Sequence, residues 1–395
     1  MSEEYESRNV RELLTEMKDV SDITIDLAYA SLQLENEELA EQVIELEELM
    51  DELMYQIRTL VSLSVRSVDD AERTTGILQV ADAAEEISNA TGDLADIVLR
   101  DIEVHPVIKS ALKKANEKLS QVKARKDSEI DGKTFHELKL PSRLGVWVLA
   151  IQRGEKWKIA PTQEAKVKAG DLLIIRGPQE GIDTFCEMAS APERDWRIGK
   201  RYRRLKETLA RMRDTGCLMV DMAYSSALFK SVEVAEEVRE VEEQYDELNY
   251  AVWREVLKAA KREKDVTKLN SVLQVVKCIE RLTDAADSIV DVVLRGVELH
   301  PVFEQALEEA DERISRVKIS KKSPLADRTL GKLDLWSRIG AYVLVIKRGK
   351  DYKFNPTKGV TVRAGDFLII RGSTLGVEEL ERVAAGKTKL PLEES

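Results

Sequence analysis

What this chain has little of narrows its class before any motif is read. Its 395 residues hold three histidines, three cysteines, nine prolines and 19 glycines. Three histidines leave little for acid–base work, and no histidine-bearing triad or nucleophile elbow occurs. Neither a Gly-x-Gly-x-x-Gly strand-to-helix turn nor a phosphate-binding loop is present, so the usual nucleotide-binding fingerprints are missing. These absences predict a protein that is not an enzyme. Cys186, Cys217 and Cys278 show neither metal spacing nor a disulfide pattern; they read as free thiols in a reducing compartment. No run of about 18 apolar residues exists, and the acidic start does not read as a signal peptide. The expectation is a soluble, cytoplasmic protein. Sparse proline and glycine beside 34% charged residues favour long helices laced with ion pairs. A net charge of −12 argues against nucleic acid as a partner. The basic run Lys200-Arg201-Tyr202-Arg203-Arg204 reads as a solvated helix start.

What is present is a duplication. Residues 143–177, RLGVWVLAIQRGEKWKIAPTQEAKVKAGDLLIIRG, return without a gap as residues 338–372, RIGAYVLVIKRGKDYKFNPTKGVTVRAGDFLIIRG, with 19 of 35 positions identical. The same offset of 195 pairs Asp26 with Asp221, Tyr29 with Tyr224, Arg100 with Arg295, and His105-Pro106 with His300-Pro301. One unit of two domains has been copied in tandem. Each copied stretch reads as strand, turn, strand, short strand, turn, strand, with a short helix before it and a helix over 179–188 after it. Residues 8–123 read as helical throughout. Val43, Leu46, Leu49, Met50, Leu53, Ile57 and Leu60 recur at three- and four-residue spacing. The first helix should cover 10–33, with a break at Asn36 and a second helix running to Val65. Ser67-Val68-Asp69-Asp70 caps a third that ends near Glu103. Pro106 opens a fourth. Residues 123–130 and 318–326 read as polar linkers. The expected boundaries are therefore 1–126 and 196–320 for helical bundles, and 127–195 and 321–395 for α/β modules.

The ordered pattern GKxxxEL…RxGxxVLAIxRG…P…GDxLIIRG makes each module resemble the TrkA-C domain, the C-terminal domain of regulators of potassium conductance. The second copy departs at its entry, where Asp327-Arg328 replaces Gly132-Lys133. Glu47-Glu48-Leu49-Met50-Asp51-Glu52-Leu53, its copy at Glu242 to Leu248, and Glu280-Arg281-Leu282-Thr283-Asp284-Ala285-Ala286-Asp287 make the bundles resemble the PhoU family of phosphate-regulatory proteins. The implied fold is α+β multidomain: all-α PhoU-like helical bundles alternating with small α/β TrkA-C modules. The resemblance further implies a non-catalytic, ligand-sensing regulatory subunit whose partner is a membrane cation channel or transporter, met at the inner face of the membrane. It also implies self-association of the modules, as an intrachain pseudo-dimer or a homodimer. The alternative is a metal-binding adaptor in phosphate transport signalling.

Glu47 and Asp51 stand one helical turn apart, where like charges repel and a shared cation would relieve them. Glu85 is the candidate partner in unit one, whereas Glu280 and Asp284 join Glu242 and Asp246 in unit two. Asn89 lacks the charge of Asp284 in the first copy. Oxygen ligands suit magnesium, calcium, manganese or iron, and the PhoU resemblance implies a divalent or iron-type ion at such motifs; a solvated acidic face is the alternative. Arg143 with Arg338, Arg153 with Arg348, and Arg176 with Arg371 recur in both modules, and arginine offers a planar fork to phosphate or carboxylate. Paired TrkA-C modules hold a cyclic dinucleotide across their interface, so the resemblance places a small anionic ligand near Arg143, Arg338, Pro161, Asn355 and Pro356. Trp147 and Tyr342 stand where that family usually has a polar residue. The alternative is that the arginines brace the turns. His105 and His300 read as caps of the helices that follow.

Overall fold

The computed structural model describes residues 9–115, 117–191, 202–228, 231–263, 265–296, 313–349, 351–354, 356, 358–372 and 374–390. Unit one opens with three long helices, α1 (Val10–Leu34), α2 (Glu37–Ser64) and α3 (Val68–Leu99). Local chemistry sets their limits. Asn9 and Glu12 form a reciprocal capping box at the start of α1. Glu35 turns the chain in the left-handed region (φ 49°), and the Asn36 side chain then caps α2. Ser67 caps α3. Within α2, Val43, Met50, Leu53 and Ile57 are fully buried, while Leu46, Leu49 and Leu60 are half-buried. Each fully buried side chain of this size contributes about 1.5–3 kcal/mol. A short α4 (Pro106–Leu112) follows.

The chain then builds a four-stranded antiparallel sheet in the order β1-β4-β2-β3, from β1 (Lys118–Lys123), β2 (Trp147–Arg153), β3 (Lys156–Ile159) and β4 (Leu172–Gly177). Helices α5 (Phe135–Leu138), α6 (Leu140–Leu144) and α7 (Gln179–Met188) complete the module. Unit two repeats the plan. Its helices are α8 (Arg203–Leu228), α9 (Val232–Ala260) and α10 (Asn270–Leu294). Its module holds β5 (Arg313–Lys318), β6 (Arg328–Thr329), α11 (Leu330–Leu333), α12 (Leu335–Ile339), β7 (Ala341–Arg348), β8 (Asp351–Phe354), β9 (Thr361–Val362), β10 (Phe367–Gly372) and α13 (Thr374–Ala384). The main sheet runs β5-β10-β7-β8, and β6 pairs with β9.

Two readings of the sequence need correction. Residues 118–123 form a strand paired with β4, with Lys118 opposite Gly177 and Lys123 opposite Leu172, rather than the end of a helical region. The module therefore begins before residue 127, and its copy begins at β5, before residue 321. Buried Leu119 and Val122 lie three apart, so the stretch mimics a continuing helix stripe although its neighbours in space make it a strand. The third helix also stops at Leu99, four residues short of Glu103.

Three helices pack together in each unit, and the units join through α3 against α10. One apolar core runs through both bundles. It also takes in one face of each sheet, through Leu149, Ala150 and Ile174 in module one and Leu344, Val345 and Ile369 in module two. The opposite sheet faces carry separate cores, built on Val122, Ile151, Leu173, Ile175 and Phe185 in one module and Val317, Ile346, Leu368, Ile370 and Leu380 in the other. Strands covered on both sides explain the near-continuous apolar runs of β2, β4, β7 and β10. Each module is further pinned to the second helix of its own bundle. Gln152 and Trp157 donate to Glu38 at 2.5 and 2.9 Å; Arg316 and Lys347 pair with buried Glu237 at 2.8 and 2.9 Å.

Candidate functional site

The three repeated arginine pairs take three different positions. Arg153 donates from Nε and Nη2 to Asp171 at 2.8 and 2.7 Å, and from Nη2 to the Lys166 carbonyl at 2.8 Å. Arg348 does the same with Asp366, at 2.7 Å twice, and with the Thr361 carbonyl at 2.9 Å. Both carboxylates are 1% exposed, and each fork ties the strand-ending turn to the tight turn before the last strand. This pair braces the module.

Arg143 and Arg338 sit in the short helices α6 and α12, not at the start of the following strands. The glycines Gly145 and Gly340, in the left-handed region at φ 63° and 65°, end those helices and only then release the chain into β2 and β7. Arg143 is exposed and reaches the Leu138 carbonyl at 3.4 Å; Arg338 is half-buried. Helices α6 and α12 lie against each other, which brings the two arginines' helices together at the meeting of the modules. Lys358 and Glu180 pair across the same meeting at 2.5 Å. Pro161 and Pro356 are half-buried. Asn355 lies outside the described residues.

Arg176 and Arg371 leave their modules and enter the helical body. Arg176 Nη1 donates to Asp26 of α1 at 2.7 Å, and its Nε lies 3.4 Å from Glu117. Arg371 donates to the other oxygen of Glu117 at 2.9 Å and lies 3.7 Å from Asp221 of α8. Arg213 of α8 donates to the Glu117 carbonyl at 3.1 Å and to Asp214 at 3.2 Å. Both module arginines approach the Trp147 ring, their guanidinium carbons 5.5 and 5.3 Å from its centroid. The three arginines and their carboxylate partners surround a cavity of about 60 Å3, which also meets Asp22 and Cys217. Four elements from both units thus converge on one ionic hub: α1, α8, β4 and β10. Asp26 and Asp221, like Arg176 and Arg371, are copies of each other, so the hub straddles the internal repeat. The copy of Glu117, Glu312, lies outside the described residues.

The hub's carboxyls are held in opposite directions. Burial works against ionisation of Glu117, but Arg176, Arg371 and Arg213 outweigh it and lower its pKa to about 2. Burial, reinforced by the charge of Asp22, raises Asp221 to about 7 despite Arg371 and Arg176. Burial also raises Asp26 from its ordinary value, against Arg176 and Arg213. Cys217 is pushed up to about 12, first by burial, which leaves it an inert thiol.

The acidic pairs lie elsewhere, on the outer faces where α2 meets α3 and α9 meets α10. Glu47 is half-buried over Gly92 of α3, where an added Cβ would stand 2.1 Å from its Oε2. Burial and the charges of Asp51, Asp93 and Asp96 raise its pKa. Glu85 is raised by burial and by Asp51, and Arg58 holds it at 3.3 Å. In unit two Asp287 occupies the position of Gly92. Burial, then Asp246, Asp287 and Asp284, raise Glu242; burial, then Glu280, Asp287 and Asp246, raise Asp284. Glu280 accepts from Asn249 at 3.2 Å. Each predicted set is therefore brought to one helix pair. Among the described residues no three carboxylate, histidine or cysteine side chains converge closely enough to enclose a metal ion.

Sequence reasoning singled out Arg176 and Arg371 but not their partners. Asp26 carried a signal: it is a lone charge inside the apolar run Ile23 to Leu34, and it recurs as Asp221. Arg213 replaces Lys18 of unit one, and nothing in its local pattern distinguishes it from a solvated cation. His105 caps α4, its Nδ1 accepting from Val107 N at 3.1 Å. His300 lies outside the described residues.

The sequence matches the PhoU domain family over residues 14–98 and 209–293, and the TrkA-C domain family over residues 119–190 and 314–385. A Synechocystis protein described as an uncharacterized transporter is 30% identical over 104 residues, 26% of this chain and 17% of that protein. The match thus spans under a fifth of that relative's length. Among solved structures, PhoU from Pseudomonas aeruginosa is 13% identical, covering 73% of this chain and 96% of its own at a TM-score of 0.42. The phosphate transport system regulatory protein PhoU from Streptococcus pneumoniae is 12% identical, covering 74% and 95% at a TM-score of 0.40. The chain belongs to the PhoU and TrkA-C domain families at once, as a tandem repeat of one PhoU domain followed by one TrkA-C domain.

Proposed function

We propose that the chain is a non-catalytic regulatory subunit of cation transport, chiefly of potassium, acting at the cytoplasmic face of a membrane transporter or channel. The observation that carries this reading is the ionic hub. Arg176 and Arg371 tie both TrkA-C sheets to helices of both PhoU bundles through Asp26, Asp221 and Glu117. A small anionic ligand held where α6 and α12 meet, near Arg143 and Arg338, would alter the angle between the modules. The hub would then carry that change to the helices, which bind two states of the transporter unequally. Among the described residues no helix is long and apolar enough to cross a membrane, so the partner supplies the pore. The TrkA-C membership and the transporter relative support this reading. Cross-linking the tagged chain in native membranes, followed by identification of what it captures, tests it. A cation channel or transporter is the expected partner; a phosphate transporter alone would overturn it.

A second reading, a metal-binding adaptor in phosphate transport, draws on the acidic pairs. Glu242 and Asp284 are raised in pKa partly by neighbouring carboxylates, a mutual repulsion that a divalent ion would relieve.

A further inference from the structure

Unit two carries a groove whose arginines have no counterparts in unit one. Beyond the part of α9 that anchors module two, α8 and α9 enclose a groove of about 680 Å3 lined by Arg204, Arg211, Arg254, Lys258 and Lys114. Three carboxylates line it too, each with a partner: Glu207 pairs with Lys114 at 3.0 Å, Glu255 with Lys258 at 2.7 Å and Asp214 with Arg213 at 3.2 Å. Among the described residues no carboxylate pairs with Arg204, Arg211 or Arg254, and all three are exposed. In a chain of net charge −12 this is a local reversal of sign.

The duplication supplies an internal comparison. At the offset of 195, Asn9, Glu16, Thr59 and Leu63 stand in unit one where unit two has Arg204, Arg211, Arg254 and Lys258. The arginine–aspartate module braces were kept through the same divergence, whereas this surface changed its charge. The ridge beside the groove has changed with it. Tyr250, Trp253 and Leu257 share the next face of α9 and are 73%, 44% and 62% exposed. Trp253 and Leu257 stand where unit one has Arg58 and Ser62. Tyr250 is shared with unit one as exposed Tyr55, so the cations and the two apolar residues Trp253 and Leu257 are what distinguish unit two.

Spacing selects the class of ligand. Arg204 and Arg211 lie two turns apart on α8, about 10 Å, and Arg254 stands across the groove. They do not converge on a single phosphate; they suit several charges along an extended ligand. A groove between two helices offers contact on several sides to a helical segment, which a flat lipid surface does not fill. We infer that this groove binds an acidic, amphipathic polypeptide segment of a partner protein. Its carboxylates meet Arg204, Arg211 and Arg254, and its apolar face meets Trp253 and Leu257, a helix-in-groove mode of recognition. The basic run that opens α8 is thus a binding element at Arg204 as well as a helix start. This inference stands whether or not the chain regulates cation transport.

Fluorescence anisotropy of the full chain with a labelled helical peptide, glutamate on one face and leucine on the other, tests it. The wild type should bind, and salt should weaken binding because the contacts are exposed charges. A variant carrying R204E, R211E and R254E, and separately one carrying W253A and L257A, should each lose affinity by about tenfold or more. All five positions are exposed, and thermal melting confirms that the variants fold. Undiminished binding by either variant overturns the inference, as does equal binding of a scrambled peptide. Full displacement by inorganic phosphate, stronger charge-dependent binding to phosphatidylglycerol vesicles, or self-association of the wild type that the charge-reversed variant loses, would assign the groove to a free anion, a membrane or a second copy instead.

Discussion

Asp221 and Glu117 show how much neighbouring groups can pull apart two carboxyls that touch the same arginine. Asp221 has an ordinary value of 3.8 and is raised to about 7 in the folded chain, first by burial. Between those values the folded state holds a proton that the unfolded state has released. Its contribution to stability is therefore fullest below about pH 4 and is lost as pH rises to about 7. Glu117 runs the other way: its folded value of about 2 lies below 4.5, so its contribution is present above about pH 4.5 and is lost toward pH 2. D221N should gain on the wild type in urea melts as pH rises from 4 to 7, and E117Q should flatten the acid limb alone. Parallel pH profiles for D221N and wild type would show that Asp221 is solvated like any surface carboxylate. Asp26 belongs to the same scale. It was legible as a charge in an apolar run, but its meaning depends on Arg176, which lies 150 residues away. No local pattern holds that contact.

At the scale of elements, helix ends were legible to within a residue or two wherever a side chain caps them, as at Asn9, Asn36 and Ser67. Strand β1 was not, because Leu119 and Val122 continue a helical spacing and only the partner β4 decides between the two. Helix α7, read as 179–188, holds its place by a close approach to the turn before β2. A Cβ on Gly181 would stand 2.1 Å from the Leu144 carbonyl oxygen, which is backbone and cannot swing aside. G181A should therefore destabilise the chain by about 1–3 kcal/mol through overpacking. G359A, where a Cβ meets nothing within 4 Å, should be near neutral. Equal denaturation midpoints for the two variants would mean that α7 is free to shift. The acidic helix pairs make a prediction at the same scale. Calorimetric titration of manganese into the full chain should give binding that E242Q with D284N weakens more than E47Q with D51N. The reason is the extra carboxylates of unit two, Asp284 and Asp287, where unit one has Asn89 and Gly92. Equal effects, or no heat in the wild type, would leave these faces as solvated acid surfaces.

At the scale of the whole molecule, duplication was the most legible feature, and family membership of all four domains followed from it. What the sequence does not carry is how the copies meet. The bundles merge into one core, both sheets lie on it, and arginines of both modules meet at Trp147 and Glu117. That arrangement makes the chain one coupled body rather than four domains on linkers, and coupling is the central claim. Potassium uptake by cells that lack the chain, complemented with the wild type or with a variant carrying R176A and R371A, tests it most directly. The wild type should restore regulated uptake. The double variant, folded by thermal melting and present at equal amounts, should leave uptake as in cells without the chain. Full restoration by the double variant, or uptake indifferent to the chain's presence, would contradict the account.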